Sequence, residues 1–258
     1  KAIVTGCLVK ILDLKRLDKR VIIANEIAEI DKLLKKESPK KIKLVKPIKR
    51  KIEEVGIIQI SQGCLNKCNY CATKIARGNL KSKPISEILK ELNEKIDSEC
   101  KIIYLTAQDT GCYGLDIKTN LSELLEIILK EVKDKEIRLR LGMTNPTYLK
   151  ANLKMVIKSL NSGKFMKFLH IPVQAGSDKV LKEMGRDYTV NEFREIVDKV
   201  RKEVDNVSIA TDIIVGYPTE TEKDFLDTVK LLEEIKPEVV NLSKYSKMPG
   251  TVAGEMKQ

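Results

Sequence analysis

From residue 55 onward the chain alternates between two hydrophobic periods. Apolar, β-branched runs at 55–61, 102–106, 137–141, 165–171, 207–214 and 238–243 read as strands. Between them, 85–97, 121–133, 147–160, 190–204 and 221–235 repeat their apolar residues at helical spacing, as in Leu121, Leu124, Leu125, Ile128 and Val132. Start signals precede several of these helices: Pro84-Ile85-Ser86, Asn120, Thr189, and the stretch Thr219-Glu220-Thr221-Glu222. Strands alternating with helices of this length specify parallel βαβ units. With right-handed crossovers, six such strands curl into an α/β fold of partial (β/α)6 TIM-like barrel type, with its chemistry at the C-terminal strand ends.

The pattern before residue 55 is different. A strand at 2–5 runs into Gly6-Cys7, and Val21-Ile22-Ile23 is followed by a short helix at 27–34. These predict the remnant of a small α/β N-terminal domain over 1–34. Residue 1 is Lys and stands at the edge of a strand, which predicts an internal stretch of a longer chain. Between Lys35 and Lys51 nine Lys or Arg face one acid, Glu37, and Pro39 and Pro47 break any helix, so 35–54 reads as a basic linker. The barrel then occupies 55–258.

Composition narrows the classes. With 258 residues, 42% hydrophobic and 33% charged, the chain can bury a substantial core. No apolar run approaches the roughly 18 residues of a membrane span, and no signal peptide is visible; the expectation is no membrane and a cytoplasmic location. A net charge of +11 points to an acidic partner, nucleic acid first, although Lys- and Ile-rich composition also suits a thermophilic host. Six cysteines in such a chain argue for metal or redox chemistry over a disulfide framework.

Three of those cysteines lie in one loop after the first barrel strand, Cys64-Leu65-Asn66-Lys67-Cys68-Asn69-Tyr70-Cys71, introduced by Gly63. Thiolates at spacings of three and two can ligate three irons of a four-iron, four-sulfide cube and leave the fourth iron open. A zinc knuckle wants four protein ligands, and the single histidine, His170, is far downstream on a predicted inner strand, where a satisfied core role fits it better. Polar residues at the other strand ends are candidates for holding a cofactor: Gln108 and Asp109, Thr144 and Asn145, Gln174, and Asp212. Each could instead cap a helix or satisfy a turn. The guanidinium of Arg186 suits a carboxylate, a phosphate or a plain salt bridge. Cys100 reads as a packing residue, and Cys112 stands in a strand-end loop close to the cysteine triplet.

The Cys64-x3-Cys68-x2-Cys71 loop, with Tyr70 before the third cysteine, resembles the hallmark of the radical S-adenosylmethionine (SAM) enzymes. Within them, Leu105-Thr106-Ala107-Gln108-Asp109-Thr110-Gly111-Cys112-Tyr113-Gly114, Leu139-Arg140-Leu141-Gly142-Met143-Thr144-Asn145-Pro146, His170-Ile171-Pro172-Val173-Gln174-Ala175-Gly176-Ser177 and Thr211-Asp212-Ile213-Ile214-Val215-Gly216-Tyr217-Pro218 resemble the methylthiotransferases. The second of these stretches, with Ala72-Thr73-Lys74-Ile75-Ala76-Arg77-Gly78-Asn79, is most similar to the archaeal and eukaryotic branch acting on N6-threonylcarbamoyladenosine in tRNA.

That resemblance implies a [4Fe-4S] cluster on Cys64, Cys68 and Cys71 whose open iron binds SAM, and a 5′-deoxyadenosyl radical that takes hydrogen from C2 of the modified adenine at position 37 of tRNA. Sulfur comes by way of a second [4Fe-4S] cluster and the methyl group from a second SAM. The resemblance also implies an electron donor such as a flavodoxin or ferredoxin; the strand-end residues Gln108, Asp109, Thr144, Gln174 and Asp212 are then the candidates for holding SAM, with Arg186, whose stretch Met184-Gly185-Arg186-Asp187-Tyr188-Thr189 resembles a recurrent family element. Cys7 matches the last of three ligands of the second cluster, whose other two would lie upstream of residue 1, and the family's C-terminal RNA-binding domain would lie beyond residue 258. The expectation is therefore a truncated form that starts the radical chemistry without a complete second site. The oligomeric state stays open. Competing readings are a radical SAM enzyme on a non-tRNA substrate and a zinc-stabilised RNA-binding module.

Overall fold

The computed structural model describes residues 2–5, 10–11, 21–24, 29 and 55–257. Strands β1 (Ala2–Thr5) and β2 (Val21–Ala24) pair in parallel, Ala2 opposite Val21. The predicted helix at 27–34, the basic linker and Cys7 lie outside the described residues, apart from Glu29.

The main body is a parallel arc of six strands. Its first half is β3 (Val55–Gln59), β6 (Ile102–Thr106) and β7 (Arg138–Leu141), in that spatial order. Its second half is β8 (Phe168–His170), β9 (Ser208–Val215) and β10 (Val239–Lys244). A parallel bridge between Leu139 and Phe165 joins the halves, with Leu139 N donating to Lys164 O and Met166 N to Leu139 O, both at 2.8 Å. Among the described residues, strands β3 and β10 each have one strand neighbour, so the arc they form is an open partial barrel. Between β3 and β6 a two-residue antiparallel ladder forms from β4 (Ser61–Gln62) and β5 (Lys81–Ser82).

Helices cover the outer face. They are α1 (Thr73–Arg77), α2 (Ile85–Asp97), α3 (Leu121–Glu131), α4 (Pro146–Asn161), α5 (Asp178–Glu183), α6 (Val190–Glu203) and α7 (Glu222–Ile235). Each of the longer ones folds because its apolar stripe has a sheet to cover. In α6, Val190, Phe193, Ile196, Val197 and Val200 are buried, and in α3 Leu121, Leu124, Leu125 and Ile128. A side chain of this kind contributes about 1.5–3 kcal/mol on full burial. Asn120 caps α3 through Glu123 N, and Thr189 and Thr221 close capping boxes with Glu192 and Asp224. At Pro84 no side-chain cap forms.

Strand alternation divides core from lumen. On β6, Ile103 and Leu105 pack outward into the core while Tyr104 and Thr106 face the lumen. The lumen also holds Arg140, whose guanidinium carbon lies 4.9 Å from the Tyr104 ring centre and 4.5 Å from that of Phe168. All six residues of β10 are exposed, and Ile57 on β3 is 60% exposed, as befits the two rims of an open arc.

The predicted strand at 165–171 is the one that shortens most, because Phe165 makes an isolated bridge and only Phe168–His170 pair continuously. The predicted strand at 55–61 likewise divides at Ile60 into β3 and the start of the ladder.

Candidate functional site

The cysteine loop is closed at its base. Ser61 pairs with Ser82 and Gln62 with Lys81, so residues 63–80 leave the arc and return to one point. Gly63 turns the chain there at φ +77°, where a Cβ would stand 2.1 Å from the Asn79 carbonyl oxygen; only glycine fits. Its N–H donates to Gln108 Oε1 at 2.7 Å, which ties the loop's first turn to the end of β6.

Asn69 anchors the far side. Its N–H donates to Met184 O (2.9 Å), its carboxamide to Glu183 O (2.8 Å), and its own carbonyl accepts from Ala253 N (2.9 Å). The loop is thereby held between the end of α5 and the segment after β10. Tyr70, beside it, accepts a 2.8 Å hydrogen bond from Arg186 Nη2.

Cys64, Cys68 and Cys71 are half-buried, free of disulfides, and line one cavity of about 340 Å³. The same wall carries Asn66, Gln108, Asp109, Asn145, Gln174 and Arg186. The loops after three strands, β6, β7 and β8, therefore converge on the cysteine loop. The thiols are not equivalent. Cys64 is lowered to about 6 by the neighbouring Cys112 thiol and, against the effect of burial, by the N–H groups of Asn66. Burial pushes Cys68 up, with Arg186 opposing it. A depressed thiol is a ready thiolate ligand.

Of the predicted residues, Gln108, Asp109, Gln174 and Arg186 reach the cavity wall. Thr144 is fully buried behind it, its hydroxyl without a hydrogen-bond partner and crowded against Gly111. Asp212 sits deeper in the lumen, accepting from Asn241 Nδ2 (2.8 Å) and bonded to His170 Nε2 (2.7 Å). Burial works to raise Asp212, but these hydrogen bonds outweigh it and leave the carboxyl below its ordinary range. His170 is thus the satisfied inner residue that its position on the strand suggests. Gln174 adopts φ +73°, a left-handed conformation that a non-glycine residue holds only at a cost of about 1–3 kcal/mol, and it is locked there by Gln174 N to Asp212 O and Ile214 N to Gln174 O. Arg186 keeps its Nε shut off from solvent and, among the described residues, without a hydrogen-bond partner.

Asn66 is a site residue that motif reading passes over. It stands between the first two cysteines, where the only signal is that an asparagine can bond backward to its own turn. Asp109 is equally unexpected in its role: buried, it accepts from Asn66 Nδ2 (2.8 Å), Gly111 N (3.0 Å) and Asn145 N (3.1 Å).

The donor set discriminates between two kinds of metal centre. A tetrahedral zinc needs four ligands at about 2.0–2.3 Å from one ion. Among the described residues no group of three or more His, Cys, Asp or Glu is placed to hold a single ion. A cube spreads three cysteine sulfurs over three separate irons, so thiols that share a cavity wall without converging on one point fit it.

An open parallel α/β arc with a clamped three-cysteine loop at its C-terminal rim defines a cluster-dependent radical enzyme. The chain belongs to the radical SAM superfamily, whose family profile matches residues 58–232. It is 40% identical to a probable threonylcarbamoyladenosine tRNA methylthiotransferase of Pyrococcus horikoshii over 274 aligned positions, covering all of this chain and 64% of that protein. It is 47% identical to the human threonylcarbamoyladenosine tRNA methylthiotransferase over 209 positions, covering 81% of this chain and 36% of the other. The chain thus spans less than two thirds of the length of these relatives. In fold it resembles the radical SAM methyltransferase TsrM of Kitasatospora setae, solved with cobalamin and a [4Fe-4S] cluster, at a TM-score of 0.64 and 16% identity, covering 78% of this chain and 36% of that one. Membership of the superfamily carries with it SAM and a [4Fe-4S] cluster.

Proposed function

We propose that this chain is the radical-generating part of a tRNA methylthiotransferase that converts N6-threonylcarbamoyladenosine at position 37 to its 2-methylthio derivative. The observation that carries the reading is the likeness at 40% identity along all of the chain to a relative named for that substrate. The basic character of the chain, +11 overall, supports an RNA partner.

In this reading Cys64, Cys68 and Cys71 hold the cluster, and the cluster with SAM, when bound, supplies a 5′-deoxyadenosyl radical. Arg186, on the cavity wall, offers its guanidinium to the SAM carboxylate. Gln108 and Gln174 line the remaining wall as neutral hydrogen-bonding groups. Thr144 and Asp212 act from behind: one fills the space beneath Gly111, and the other holds His170 and Asn241 across the lumen. C2–H of adenine is unactivated, and the closed loop with its surrounding strand ends keeps water from the radical. A one-electron carrier of flavodoxin or ferredoxin type reduces the cluster, Cys7 serves a second cluster in the assembled enzyme, and the protein works in the cytoplasm.

Nucleoside mass spectrometry of tRNA from a strain lacking the gene that encodes this chain tests the substrate. Loss of 2-methylthio-N6-threonylcarbamoyladenosine with accumulation of its unthiolated precursor is expected. Unchanged levels would sink the assignment.

A further inference from the structure

Asn66, between the first two cysteines of the loop, is held on every side by hydrogen bonds. Its carboxamide Nδ2 donates to Cys64 Sγ at 3.0 Å and its backbone N–H reaches the same sulfur at 3.4 Å. The carboxamide is fixed from both sides, since Nδ2 also meets Asp109 Oδ2 at 2.8 Å and Oδ1 accepts from Asn145 Nδ2 at 2.8 Å. Both partners are buried and tied to further elements. Asp109 holds Gly111 N and Asn145 N, and Asn145 caps α4 through Thr147 N (3.0 Å). A chain of hydrogen bonds thus runs from the ends of β6 and β7 to one sulfur.

The other two thiols differ. Among the described residues, Cys71 Sγ accepts a backbone N–H, from Thr73 at 3.4 Å. Cys68 lies on the Arg186 side of the cavity and takes a hydrogen bond from the Tyr70 hydroxyl, an O–H donor. Among the described residues, Asn66 makes the side-chain N–H to sulfur bond of this loop.

Hydrogen bonds to the ligand sulfurs are one of the factors that set the reduction potential of an iron–sulfur cluster, because they disperse negative charge that grows on reduction. We infer that Asn66, oriented by Asp109 and Asn145, is a positioning residue that raises the cluster's reduction potential through the Cys64 corner. The inference rests on the assignment of Cys64 as a cluster ligand. It makes the three corners unequal, with the most stabilised sulfur on the side where the β6 and β7 ends meet the loop.

The test is an anaerobic reconstitution of the chain with iron and sulfide, followed by potentiometric titration read by electron paramagnetic resonance, for wild type, Asn66→Ala and Asn145→Ala. Asn66→Ala is expected to bind iron as wild type does and to titrate at least tenfold less favourably, which is 59 mV for a one-electron couple. Asn145→Ala keeps the donor and frees its orientation, so a smaller shift of the same sign is expected. Wild-type potential in a fully loaded Asn66→Ala overturns the inference, as does loss of iron from Asn66→Ala alongside an unshifted Asn145→Ala, and loss of iron from both. Cys64→Ala separates the two claims. Wild-type iron content and signal in that variant would refute the ligand assignment itself, whereas a cluster lost there with no shift in Asn66→Ala refutes only the tuning.

Discussion

Arg186 Nη2 donates to Tyr70 Oη at 2.8 Å, and its guanidinium carbon stands 5.7 Å from the ring centres of both Tyr70 and Tyr188. The arginine is therefore held by one hydrogen bond and two aromatic faces on the cavity wall, with Nε buried and, among the described residues, unpartnered. A group so fixed loses little entropy on meeting an anion.

Replacing Arg186 with Met should weaken SAM binding to the reconstituted protein by about 10- to 100-fold, the value of one hydrogen bond to a charged group, roughly 1.5–3 kcal/mol. Arg186→Lys should recover only part of this, because an ammonium lacks the planar fork that pairs a carboxylate bidentately and stacks on Tyr70 and Tyr188. Equilibrium dialysis with labelled SAM reads the difference; wild-type affinity in Arg186→Met would remove the residue from the cofactor site.

Gly185, next to it, is the floor on which the loop rests. It adopts φ +70°, and a Cβ there would stand 2.6 Å from the Lys67 carbonyl oxygen. Gly185→Ala should displace the segment between Cys64 and Cys68 while leaving the helices and strands in place. Reduced iron uptake on reconstitution with a melting temperature within a few degrees of wild type is the expected pair of results, since the strained residue itself costs only about 1–2 kcal/mol. Unimpaired iron uptake would mean that the loop does not depend on this contact.

The barrel was legible because its signals are local. Helices α3 and α6 carry strict apolar stripes, and the caps at Asn120, Thr189 and Thr221 sit where their types suggest. The β4–β5 ladder was not legible, since Ser61-Gln62 and Lys81-Ser82 have no apolar alternation to show. Helix α5, at six residues, is too short for a period to stand out. Within the site, thiol spacing is a constraint of the covalent chain and can be read directly, whereas depth is not. Alternation places Asp212 on the lumen face, yet β9 continues three residues further to Val215, so the carboxylate lies below the rim. Gln108 reaches the rim but spends its oxygen on Gly63 N. Asn66 becomes visible only when Asp109 and Asn145 arrive from residues 43 and 79 positions away.

Asp224 gives a pH dependence with a definite sign. Its carboxylate accepts from Lys179 Nζ (2.7 Å), Thr221 Oγ1 (2.7 Å), Thr221 N (2.9 Å) and Ser177 Oγ (2.7 Å). These hold the carboxyl below its ordinary 3.8. The unfolded chain then binds more protons than the folded one between that lowered value and 3.8, so stability is complete above 3.8 and declines as pH falls through the folded value. Asp224→Asn should cost roughly 2 kcal/mol at neutral pH, the scale of a lost cap with a charged hydrogen bond. Its deficit relative to wild type should shrink on acidification, as read by denaturant unfolding across the acid range.

Asp109 should show the reverse sign. Burial raises its pKa above 3.8, and the bonds from Asn66, Asn145 and Gly111 only partly offset this. Here the folded chain binds more protons than the unfolded one in the window above 3.8, so this residue's contribution falls as pH rises through the folded value. Asp109→Asn cannot accept from all three donors, because one of its positions is itself an N–H donor, and it should be destabilised by about 1–3 kcal/mol at low pH for the unpaired group. That deficit should narrow as pH rises, since wild type alone bears the growing cost of a buried charge. Denaturant unfolding of the two variants over the same pH series therefore gives slopes of opposite sign relative to wild type. Parallel slopes would mean that Asp109 folds with an ordinary or lowered carboxyl, and that burial behind the cysteine loop does not govern its charge.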